Sequence, residues 1–164
     1  MKKSHTISLL VNNKPGALIR VAQVFTRRSF NINSINVSPS LDRRYSHMTI
    51  TANGAVDTVR QIILQLEKLV DVLHAVEHTK GETTKRELVL MKVVGSLSQQ
   101  SVGSNNQSPL VTVIEELSGH VILQLIGKTS DLDEVIEKIS SEQEVVEVLR
   151  SGVVAITHAD IIQT

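Results

Sequence analysis

The sequence predicts an α+β chain of two small domains, residues 1–80 and 81–164, each a sheet covered on one face by helices. Three observations predict it. Apolar residues recur with period two in some segments and at i, i+3, i+4 in others. In the first half these segments follow in the order β-α-β-β-α-β over about 75 residues, the split βαβ arrangement. The charge balance also changes sign midway. Residues 1–80 carry 11 basic and 5 acidic side chains, a balance of +6; residues 81–164 carry 6 and 12, a balance of −6.

Residues 5–12 alternate, with Ile7, Leu9 and Val11 on one face, as a strand requires. Asn12-Asn13-Lys14-Pro15-Gly16 then signals a turn and a helix start. Leu18, Val21, Ala22 and Phe25 form one apolar helical stripe. Residues 31–38 alternate again through Ile35 and Val37, and Asp42-Arg43-Arg44 reads as a hairpin turn. The next strand points Met48, Ile50 and Ala52 one way and His47, Thr49 and Thr51 the other, and Asn53-Gly54 stops it. Val59, Ile62, Ile63 and Leu66 repeat the helical stripe, residues 70–77 form the last strand, and Thr79-Lys80-Gly81-Glu82 is a polar linker.

The second half opens with a nearly continuous apolar strand at 87–94. Residues 97–109 are rich in Gly, Ser and Asn and read as a loop. Strands at 110–117 and 120–126 are joined by Ser118-Gly119. Leu132, Val135, Ile136 and Ile139 make a helix with Ser130 or Asp131 as its expected N-cap. Residues 144–149 and 152–157 close the chain as one bent strand or two short ones. This is the pattern of the first half with its first helix eroded.

Composition excludes several functions. Basic and acidic side chains number 17 each, so no net charge draws the whole chain to nucleic acid or an anionic membrane. Cysteine is absent, which removes disulfides, thiolate metal sites and thiol catalysis. The three aromatics, Phe25, Phe30 and Tyr45, are too few for base-stacking platforms. No apolar run approaches the roughly 18 residues of a membrane span, and the apolar run after Met1 is too short for a signal peptide, so the expected location is the cytoplasm.

Catalytic motifs are missing: no phosphate loop, dinucleotide fingerprint, zinc-protease helix or nucleophile elbow is present. His74 and His78 would share a strand face about 13 Å apart, too far for one metal, and are expected to be exposed; no metal site is predicted. Asp131, Asp133, Glu134 and Glu137 read as a solvated helix face. The Arg27-Arg28 and Arg43-Arg44 pairs read as exposed caps and turns.

One constellation stands apart. Asn13 and Gly16 lie in the turn between the first strand and first helix, followed by Ala17 and Leu18, while Asn31 and Ile32 open the next strand. Gly16 permits a tight turn and close ligand approach. Free N–H groups at a helix start hold carboxylates, and a carboxamide both donates and accepts, as a free amino acid requires. Residue chemistry alone favours Asn13 as a helix cap and Asn31 as the end of a loop, since Asn and Gly are ordinary at such positions.

The series Lys14-Pro15-Gly16-Ala17-Leu18, Arg20-Val21, Phe25, Arg27-Arg28 and Phe30-Asn31-Ile32 resembles the ACT domain, a ferredoxin-like βαββαβ sensor of amino-acid metabolism. Ser34-Ile35-Asn36-Val37, Ser46-His47-Met48-Thr49-Ile50, Gln65 to Val72, Glu87 to Val93 and Val146 to Gly152 extend the likeness to the small regulatory subunits of acetolactate (acetohydroxyacid) synthase. It is strongest over residues 5–94. The resemblance implies a non-catalytic subunit without a cofactor of its own, acting in branched-chain amino-acid biosynthesis. It would activate a catalytic large subunit carrying thiamine diphosphate, magnesium and FAD, and confer feedback inhibition by valine or a related amino acid. The effector would sit between the ACT domains of a homodimer, with Asn13, Gly16, Ala17 and Leu18 from one chain and Asn31 and Ile32 from the other. Two departures are visible: Ser29 stands where that family usually has Gly, and 97–109 replaces a more charged and aromatic helix. The rival readings are a free-standing amino-acid sensor, an enzyme in its own right, and an assembly subunit with a lapsed effector site.

Overall fold

A computed structural model describes residues 3–78, 83–95 and 109–158. Two compact units emerge, Met1–Thr84 with Val153–Thr164, and Lys85–Gly152. The expected linker at 79–82 and the stretch 97–108 of the expected loop lie outside the described residues. Residues 153–158, which the sequence assigns to the second domain, group with the first unit, where the Thr84 hydroxyl and His158 Nε2 lie 2.8 Å apart.

The first unit contains β1 (Lys3–Asn12), α1 (Ala17–Arg27), β2 (Ile32–Pro39), β3 (Tyr45–Gly54), α2 (Val56–Leu66) and β4 (Val72–Glu77). Its antiparallel sheet has the order β2-β3-β1-β4, the split βαβ topology. Ile7, Leu9 and Val11 of β1 and Met48, Ile50 and Ala52 of β3 are buried beneath Val21, Val24 and Phe25 of α1 and Val59, Ile62 and Leu66 of α2. A side chain such as Phe25, removed from water completely, is worth about 3–5 kcal/mol against truncation to Ala. The opposite face carries small polar groups: Ser34 and Thr51 share a 2.6 Å hydrogen bond across β2 and β3. Ile35 and Val37 register opposite Ile50 and Met48 as the alternation predicts, yet they remain 36% and 44% exposed because β2 is the sheet edge.

Two turns show why particular residues stand where they do. After α1, the Phe30 amide donates to the Phe25 carbonyl and the Ser29 amide to the Thr26 carbonyl, the two bonds of a helix-ending motif whose central residue is left-handed. Ser29 takes that conformation at φ 53, which is strained for a residue with a Cβ. At the end of β3, a Cβ on Gly54 would lie 1.9 Å from Phe30 Cζ, so only glycine lets the ring pass.

The second unit contains most of β5 (Thr83–Val94), then β6 (Leu110–Leu117), β7 (His120–Gly127), α3 (Thr129–Glu142) and β8 (Val145–Arg150); a short strand, β9 (Val154–Thr157), belongs to the first unit. Its order β6-β7-β5-β8 repeats the order of the first sheet. Val89, Met91 and Val93 of β5 and Val121, Leu123 and Leu125 of β7 are buried with Leu132 of α3. The closing segment is thus two strands. The helix begins at Thr129 with Lys128 as N-cap, not at Ser130 or Asp131. The shift has a visible cause: the Thr129 hydroxyl donates to Glu87 Oε2 at 3.0 Å, anchoring the chain one step earlier and leaving Asp131 in the first turn, where its charge suits the helix dipole.

A polar pair occupies the same register position in both units, with the carboxylate on the last strand in the first and on the first strand in the second. In the first, His5 stands two residues before Ile7, the partner of Glu77, and His5 Nδ1 lies 2.6 Å from the Glu77 carboxylate. In the second, Glu87 stands two residues before Val89, the partner of Arg150. Arg150 donates to both Glu87 oxygens at 2.9 Å and to Asp133 Oδ1 at 2.6 Å. These hydrogen bonds, with Glu87 foremost, hold Arg150 charged well above the ordinary guanidinium range. Asp133 is therefore a tie between α3 and β8 and not merely a solvated carboxylate.

Replacing Ser29 by Gly is expected to stabilise the chain by about 0.5–1 kcal/mol, because relief of the left-handed strain exceeds the added chain entropy; a thermal melt unchanged or lowered would contradict this. Arg150→Met is expected to cost about 3 kcal/mol in urea unfolding, since Glu87 stays buried without its partner. A loss under about 1 kcal/mol would show that the pair is not a structural tie.

Candidate functional site

The turn from β1 to α1 is fixed by main-chain hydrogen bonds. Asn12 N–H donates to the Asp71 carbonyl at 2.8 Å, Asn13 N–H to the Arg44 carbonyl at 2.7 Å, and Lys14 N–H back to Asn12 at 2.9 Å. Gly16 then takes φ 86 and ψ −14 as the N-cap of α1. No side chain caps the helix and its first turn holds no acidic residue, so the positive end of the helix dipole is not offset locally. Lys14 adds positive charge nearby, whereas the Arg20 guanidinium is paired with Asp71.

Asn13 is not the cap that its chemistry alone allowed. Its Nδ2 donates to the Arg43 carbonyl at 3.0 Å in the β2–β3 hairpin. That bond uses the donor end of the carboxamide and leaves Oδ1 as an acceptor. Ala17 faces inward and is buried, whereas Leu18 is 43% exposed beside the turn.

Asn31 is exposed just before β2, and Ile32 is half-buried against the core. The register sets their distance from Asn13. Asn12 pairs with Tyr45 at one end of β3, while Ile32 pairs with Ala52 near the other. Seven residues of strand separate the two points, roughly 23 Å. A single chain thus gathers Asn13, Gly16, Ala17 and Leu18, and holds Asn31 and Ile32 far away.

The structure adds residues that the sequence does not mark. Arg20 donates through Nε to Asp71 Oδ2 at 2.6 Å and also reaches it through Nη2. Its Nη1 lies 2.9 Å from where a Gly16 Cβ would stand. The Gly16–Arg20 spacing of four is a helical-neighbour signal readable in sequence. Asp71, 51 residues from Arg20, carries no such signal.

Of the two histidines, His74 is exposed as expected and His78 is not. His78 is buried, with Nε2 2.8 Å from the Ser8 hydroxyl and Nδ1 3.2 Å from that of Thr83, so it packs between strands instead of standing exposed. Among the described residues no three His, Asp or Glu side chains gather to hold a metal ion. No described helix is long and apolar enough to cross a membrane.

Comparison with known proteins bears on this arrangement. Residues 7–74 match the family described as the AHAS small subunit-like ACT domain, and residues 86–159 match the family described as the small subunit of acetolactate synthase. The chain is 36% identical over 155 residues to the acetolactate synthase isozyme 3 small subunit of Escherichia coli, covering 94% of this chain and 95% of that protein. It is 33% identical over 162 residues to the acetolactate synthase small subunit of Haemophilus influenzae, with 94% and 95% covered. The crystal structure of the Thermotoga maritima acetolactate synthase small subunit superposes with a TM-score of 0.79 at 30% identity, over 97% of this chain and 99% of that one.

The left-handed Gly16 beneath Arg20 generates its own expectation. Gly16→Ala should destabilise the chain by about 1–2 kcal/mol, combining the positive φ with the contact to Nη1. An unchanged urea midpoint would show that the turn adopts another conformation.

Proposed function

The chain belongs to the family of acetolactate synthase small subunits, regulatory partners of a catalytic large subunit, and on that basis we propose that its first unit senses a branched-chain amino acid. Two copies pair their β2 edges about a two-fold axis, making one eight-stranded sheet. The effector, valine or a relative, lies at the seam. Its carboxylate takes the N–H groups of Gly16 and Leu18, that of Ala17 being used by the Lys14 carbonyl, and its ammonium takes Asn13 Oδ1. Asn31 of the partner subunit completes the polar contacts. Leu18, with Ala17 behind it, and the partner subunit's Ile32 line the side-chain end.

The observation that carries this reading is the roughly 23 Å between the two halves of the candidate set within one chain. Antiparallel pairing of β2 with itself brings the Ile32 end of one copy beside the Pro39 end of the other. Pro39 pairs with Ser46, next to Tyr45 and the β1–α1 turn. The two halves then meet. The apolar, half-exposed Ile35 and Val37 on that edge suit burial in such a seam.

The energetics are adequate for a metabolite. The helix end contributes about 0.3–1 kcal/mol to an anion, up to ~2 when partly buried. Hydrogen bonds to charged groups add about 1.5–3 kcal/mol each. Inhibition follows if the effector prefers one arrangement of the pair, and a differential of about 1–3 kcal/mol is sufficient coupling. The thiamine diphosphate, magnesium and FAD chemistry belongs to the catalytic partner in the cytoplasm, and this chain sets its activity.

Gly16→Asp is expected to abolish valine binding in titration calorimetry, because a second carboxylate enters the carboxylate site; wild-type affinity in that variant would refute the site. Asn31→Ala should weaken valine at least tenfold while leaving activation of the large subunit intact. Loss of both together would instead mark a defect of folding or assembly.

A further inference from the structure

A guanidinium carries more N–H donors than one ion pair uses, and Arg20 is committed along one edge only. Its Nε and Nη2 both go to a single oxygen, Asp71 Oδ2. Among the described residues nothing accepts from its Nη1. The pair is also unequal in burial: the Asp71 side chain is 8% exposed and the Arg20 side chain 45%. A buried carboxylate thus holds a half-open guanidinium and leaves one nitrogen uncommitted.

The turn from β1 to α1 sets where that nitrogen stands. Asp71 is tied to the turn through its carbonyl, which accepts the Asn12 N–H at 2.8 Å. Arg20 is tied to it through its amide, which donates to the Gly16 carbonyl at 3.1 Å. Nη1 lies 2.9 Å from the point a Gly16 Cβ would occupy, with Cζ at 3.5 Å. Glycine at 16 therefore meets two needs, a φ of 86 and room for the guanidinium above it. Donors converge here: the amides of Gly16 and Leu18, the positive end of α1, and Arg20 Nη1. The first turn of α1 holds no acid to meet them. A carboxylate arriving at this place finds a guanidinium already oriented, so little rotamer freedom is left to lose. Lys14, in the same turn, is exposed.

We propose that Arg20 is a ligand of the effector's carboxylate, donating through Nη1, with Asp71 as the residue that positions it, and that this contact makes the site select free amino acids over amines that lack an anionic end. The proposal rests on the sensing reading above and adds to it a specificity-determining residue that residue spacing alone does not mark.

The test titrates the full chain with valine and with isobutylamine, which is valine with hydrogen in place of the carboxylate, and follows NMR chemical shifts, which read weak binding. Arg20→Lys keeps a cation for Asp71 and the charge of the turn but has no Nη1. Valine should bind this variant about tenfold more weakly or worse, and isobutylamine within about twofold of its wild-type affinity. If Arg20→Lys does not fold, Arg20→Gln combined with Asp71→Asn takes its place: two amides replace the ion pair with a neutral hydrogen bond, the net charge is unchanged, and the same selective loss is expected. Wild-type valine affinity in a folded variant would overturn the assignment. An equal loss for both ligands would also overturn it, because a turn that is merely disturbed does not distinguish them. Failure of the unmutated chain to bind valine, leucine or isoleucine would instead overturn the sensing reading itself.

Discussion

β3 is hydrogen-bonded along its length to β1 on one side and β2 on the other, and that register decides which candidate residues a single chain brings together. The register is pinned by chemistry, because a slip of one residue would carry Met48, Ile50 and Ala52 out of the core and Thr49 and Thr51 into it. Its consequence is a division of labour along one strand. One end presents a left-handed glycine, an uncapped helix start and a carboxamide acceptor; the other presents an exposed carboxamide beside an isoleucine. In the proposed reading each end is half of a receptor for a zwitterion with an apolar side chain, completed by a second copy turned end for end.

The second unit shows what the same topology becomes without that receptor. Its strand order is identical, and its polar pair sits at the same register position as His5 and Glu77 with the carboxylate on the opposite strand. The swap of sides is tolerated because the position requires a satisfied polar couple between the first and last strands. In the first unit, charge pairing extends to the turn, where buried Asp71 steers Arg20 over Gly16. In the second, the pair turns inward to α3 through Asp133 and Thr129. One arrangement leaves donors facing the open turn, and the other consumes them in holding a helix.

Much of this was legible in the sequence because it depends on neighbours. The alternation through Ile7, Leu9 and Val11, the stripe of Val59, Ile62 and Leu66, and the Asn-rich turn before α1 are local patterns with local causes. What was not legible depends on residues far apart in the chain. The start of α3 was displaced by Glu87, 42 residues earlier. His78 was buried by Ser8, 70 residues away. The role of Asn13 was settled by a carbonyl 30 residues on, since its side chain suits a cap and a cross-strand tie equally well. Ser29 is intermediate: the departure from glycine was visible, but only the backbone shows that the position is left-handed.

The claim on which the account turns is that each site is shared between two copies, and mixed dimers test it directly. Chains carrying Asn13→Ala and chains carrying Asn31→Ala, each defective in valine binding alone, are co-folded and titrated with valine by calorimetry. Shared sites place both lesions in one site of each mixed dimer and leave the other intact, so binding at wild-type affinity returns. If no tight site reappears although mixed dimers form, the two asparagines act within one chain or in different places, and the shared receptor is wrong.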